Sequence, residues 1–113
     1  MSEVAVPDVK SVADLAGQSD EYRAAVEKIV ISHAVNELYG AQVFDEPAIA
    51  LAPTPYAKWL TCRVAMEEYH HHVRFRSLAE EMGVAPDRMD PANKKPLSIF
   101  SFQLRTWPEF CVI

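Results

Sequence analysis

The sequence predicts an all-α chain framed by a long antiparallel helical hairpin. Apolar residues recur at steps of three and four over two long stretches, and helix-capping signals bracket both. Composition narrows the class. The 113 residues are one domain at most, and the formal charge of −5 argues against a nucleic-acid binder, which carries a basic face. No apolar run is long enough to span a bilayer, and the acidic start lacks the basic, then apolar, pattern of a signal peptide. A cytoplasmic protein without nucleic-acid or membrane partners is expected. Cys62 and Cys111 are far apart and form no CxxC, so no disulfide framework or zinc ribbon is indicated.

Residues 1–18 mix Pro, Ser, Asp and Gly without a sustained period and read as an N-terminal arm. Ser19-Asp20 is an N-cap signal, with Glu21 in the first turn where the helix dipole favours negative charge. A stripe of Tyr22, Val26, Ile29, Val30, His33, Glu37, Gly40, Ala41 and Phe44 then predicts a first helix over about 20–44. Two prolines between Asp45 and Pro53 end it. Thr54-Pro55 opens a second helix over about 55–82, because Thr caps well and Pro is tolerated at the first helical position. Gly83 supplies the left-handed stop. Helices of these lengths span about 37 and 42 Å, and neither buries its stripe alone. The stretch after Gly83 turns irregular, with a short helical turn and then an extended connector over Ser98 to Leu104. Thr106-Trp107-Pro108-Glu109 is a capping box that opens a third helix near 107. The apolar run behind that cap stops within a turn, so residues 19–113 are expected to be the first part of a longer domain.

Chemistry concentrates in Glu67-Glu68-Tyr69-His70-His71-His72, which holds two overlapping Glu-x-x-His pairs. Residues three apart share a helix face, so either pair can offer a carboxylate and an imidazole to one metal ion. Helical phase selects between them. Glu68 and His71 continue the stripe of Leu60, Val64, Phe75, Leu78 and Met82, whereas Glu67 and His70 align with Arg63 and Arg74. Glu37 lies on the first helix's own stripe, where a carboxylate is costly unless paired or bound to metal. Together Glu37, Glu68 and His71 amount to half of a ferritin-like dinuclear site, suited to iron or manganese. His33, one turn before Glu37, is expected to support that site from outside the ligand set. His72 is expected on the surface or rim. A buried Glu–His structural pair is the plainer alternative.

The segments Asn36-Glu37-Leu38-Tyr39-Gly40, Ala52-Pro53-Thr54, Glu67-Glu68-Tyr69-His70-His71 and Leu78-Ala79-Glu80-Glu81-Met82-Gly83 are similar to the phenylacetic acid catabolic family, on the side of its catalytic subunits. The tail, Leu97-Ser98-Ile99-Phe100 and Thr106 through Ile113, resembles that subunit's passage into its third core helix. The likeness runs from about Tyr22 to Ile113, and order and spacing carry it. It implies a ferritin-like fold, with the hairpin as half of a four-helix bundle. It also implies a carboxylate-bridged di-iron centre with Glu37, Glu68 and His71 as ligands, and oxygen insertion into the ring of phenylacetyl-CoA or a similar aromatic acyl-CoA. A structural subunit of the same fold and a reductase are the implied partners in an oligomeric complex. Two other readings stand beside it: a non-catalytic ferritin-like partner subunit, and a self-assembling metal-binding hairpin.

Overall fold

The computed structural model describes residues 8–113; the first seven residues of the expected arm lie outside the described part. Every regular element among the described residues is helical: α1 (Val12–Leu15), α2 (Asp20–Tyr39), a π-helical segment (Gly40–Asp45), α3 (Glu46–Leu51), α4 (Pro55–Glu81) and α5 (Trp107–Val112), with 3-10 turns at Pro86–Met89 and Ser98–Ser101. Local chemistry sets the ends. The hydroxyls of Ser19 and Thr54 accept the amides of Tyr22 and Ala57, each at 3.1 Å. Past α4, Gly83 takes φ 84°, and its amide and that of Val84 return to the carbonyls of Glu80 and Ala79. Thr106 caps α5, and Glu109 reaches back to the Arg105 amide and the Thr106 hydroxyl.

The first long helix does not end near residue 44. It widens into the π segment and continues as α3 to Leu51, leaving only Ala52–Thr54 as the corner. Pro47 is the reason it reads as an end and also the reason it need not be one. Proline lacks an amide hydrogen and crowds the carbonyl four residues back. The Glu46 amide has shifted to the Ala41 carbonyl, five residues back, so Pro47 falls in the first turn of α3, where both penalties vanish. This extension aligns the hairpin. Glu37 lies fourteen residues before the end of α3 and Glu68 thirteen after the start of α4, so the two come level across the pair.

α2 and α4 are antiparallel, with contacts at His33–Phe75, Ala34–His72 and Gly40–Glu68. Their crossing is built of small residues. Ala34, Ala41, Ala48 and Ala79 are fully buried, with Thr61 and Ala65 nearly so. Hence the inward face of α4 is rotated from the sequence stripe: Leu60 and Val64 are 38% and 41% exposed and line the hairpin's open side. Alanines let the backbones approach closely, and the larger side chains are displaced to the flanks. On α2, Ile29 is likewise exposed while Ile31 and Val35 are buried.

Those two residues are covered by the strand of chain after Gly83, which crosses back over α2. Val84 and Met89 pack into the core with Val30, Ile31, Ala34, Val35 and Ala79. The Leu97 amide donates to Asn36 Oδ1 at 2.9 Å, and the Phe100 ring packs at a tilt against Tyr39 and Phe44. The expected extended connector contains a 3-10 turn, Ser98–Ser101, that aims Phe100 inward. In the described part of the arm, Ser11 caps α1, which buries Leu15.

Candidate metal centre

The structure brings Glu37, Glu68 and His71 together, with one donor atom from each lying within 4.8 Å of the others. Glu37 comes from the last turns of α2; Glu68 and His71 come from one face of α4. His71 Nδ1 is 3.6 Å from Glu37 Oε2. The Glu68 carboxylate lies beside Gly40, where a side chain would approach within 3.9 Å of its oxygen. His71 is half-exposed rather than part of the core, because its side of α4 faces the open flank of the hairpin. Glu67 and His70 are exposed on another face of α4.

His33 stands at the edge of this group. Its Nδ1 is 4.0 Å from Glu37 Oε1, and its ring stacks on Phe75 at 4.7 Å between centroids. His72 is not on the rim. Its Nδ1 is 2.7 Å from the Ala34 carbonyl across the hairpin. A carbonyl only accepts, so Nδ1 carries the hydrogen and His72 clamps α4 to α2. Phase arguments place this residue beside the active face without revealing which carbonyl it meets.

A further acidic residue belongs to this end of the hairpin. Asp45, the last residue of the π segment, is 6% exposed, and its Oδ2 has no hydrogen-bond partner. It lines an open cavity of about 340 Å³ together with Glu37 and Glu68, walled by Phe44, Phe100 and Phe110. Its neighbour Pro47 makes it look like part of a loop in sequence, which hides it.

The electrostatics of the cavity are those of carboxylates lacking counter-charge. Glu68 hydrogen-bonds Glu37, and that contact, burial and the Glu37 charge push its pKa up to about 8. Burial, then Glu37, push Asp45 up to about 6. Glu37, Glu68 and His71, two carboxylates and an imidazole, form a group of the kind that can hold a metal ion, and the bare Asp45 Oδ2 lies on the same cavity.

No protein-family model, curated protein or solved structure matches this chain.

Proposed function

We propose that the chain is the helical-hairpin half of a ferritin-like di-iron oxygenase subunit acting on phenylacetyl-CoA or a similar aromatic acyl-CoA. The observation that carries the reading is the convergence of Glu37, Glu68 and His71 on one point from two opposed helices. The similarity of the segments around these residues to the phenylacetic acid catabolic family supports the substrate class. Glu37 and Glu68 would be carboxylate ligands and His71 a terminal imidazole ligand. When bound, iron supplies the activation of dioxygen that side chains cannot perform.

The chain's own contribution is positioning and exclusion of water. His33 orients Glu37 from outside the ligand set. Phe44, Phe100 and Phe110 give the cavity walls that suit an aromatic ring and keep bulk water from the oxidant. The second set of ligands would come from two further helices lying on the open flank, where Leu60, Val64 and His71 are partly exposed. The same reading calls for a structural subunit of like fold, a reductase and a cytoplasmic setting.

The test is oxygen transfer. The iron-loaded chain, with its complementary helices and a chemical reductant, is given phenylacetyl-CoA under isotopic dioxygen, and the product is weighed by mass spectrometry. The reading expects one labelled oxygen atom in the ring, lost with Glu68→Ala. Iron uptake without labelled product contradicts an oxygenase and favours metal storage.

A further inference from the structure

Asp45 is expensive where it stands. A carboxyl that is 6% exposed with an oxygen lacking any partner forfeits its hydration without compensation, and an asparagine or leucine would fit the same space at lower cost. Its placement also depends on an unusual backbone. In a regular α-helix a residue eight positions beyond Glu37 lies about 80° round the axis from it. Residues of a π segment turn the helix by less each, so the Gly40–Asp45 stretch swings Asp45 back toward the line of Glu37 and into the same cavity. Asp45 is outside the cluster of donor atoms that lie within 4.8 Å of one another. It therefore stands beside the donor group rather than in it, on the wall of the same cavity.

We propose that Asp45 is a positioning carboxylate of the cation site, whose bare Oδ2 accepts a hydrogen from water bound to a cation held by Glu37, Glu68 and His71. The inference rests on those three residues being ligands. It gives the π segment a role: to present an acceptor one shell out, where outer partners orient what the ligands hold.

Manganese(II) titration of the full chain, read by the signal of free manganese, tests this beside thermal unfolding of the metal-free protein. Asp45→Asn preserves size and removes the charged acceptor. The dissociation constant is expected to rise about 10- to 100-fold, while the metal-free unfolding midpoint stays level or rises, because a costly buried carboxyl has gone. An unchanged dissociation constant overturns the proposal. So does a lowered metal-free midpoint, which makes Asp45 a structural acceptor. Glu68→Ala separates the two levels of the argument. If the unaltered chain binds manganese, Glu68→Ala does not and Asp45→Asn binds as before, only the role of Asp45 fails. If the unaltered chain binds none, the ligand reading fails and this inference with it.

Discussion

The two ends of the hairpin use the same pair of helices for opposite purposes. At one end Val30, Ala34, Ala79, Val84 and Met89 form a dry contact, fastened by the His72–Ala34 hydrogen bond. At the other, Glu37, Asp45 and Glu68 face one cavity, and burial and Glu37 push Asp45 and Glu68 toward protonation. The dry end removes apolar surface from water and stabilises the pair; the crowded carboxylates of the polar end oppose folding. An uncompensated cluster of this kind persists only because the packed end offsets it, which is the usual relation between a scaffold and a site.

Matched substitutions at the two ends sharpen the contrast. Ala79→Leu forces a large side chain into a fully buried crossing and should destabilise the protein by about 1–3 kcal/mol in urea unfolding. Glu68→Leu replaces a repelled carboxyl with an apolar side chain and should stabilise the metal-free protein in the same assay; destabilisation would mean that the carboxyl is structural. His72→Ala removes the clamp and should cost about 1 kcal/mol, leaving cation binding in place. Stability should also depend on pH. Glu68 and Asp45 both hold folded pKa values above their ordinary ones of 4.5 and 3.8. Their contribution is therefore complete at low pH. It is lost as pH rises through about 6 for Asp45 and about 8 for Glu68. Metal-free stability should fall across that window, and bound manganese should reverse the slope because the cation favours the ionised carboxylates.

The same division separates what the sequence discloses from what it hides. Ser19, Thr54, Gly83 and Thr106 act on amides or carbonyls within a few residues of themselves, so the helix boundaries that they set are legible locally. The phase that turns Glu68 and His71 to one side of α4, away from Glu67 and His70, is legible for the same reason. The extension from Phe44 to Leu51 is not, because a shift to five-residue hydrogen bonding has no local signature and Pro47 imitates a stop. Asp45 was hidden with it. The rotation of the α4 contact face was hidden too, because hydropathy favours leucine and valine where close approach selects Ala65 and Ala79. The packing of Val84 and Met89 with Ile31 and Val35 is a tertiary event between residues 49 to 58 positions apart in sequence.

The central claim is that Glu37, Glu68 and His71 hold a cation. Anaerobic equilibrium dialysis against iron(II), with the full chain and its Glu68→Ala variant side by side, addresses it most directly. The account predicts saturable iron on the unaltered chain and none above background on the variant. Equal iron on both, or none on either, would contradict it.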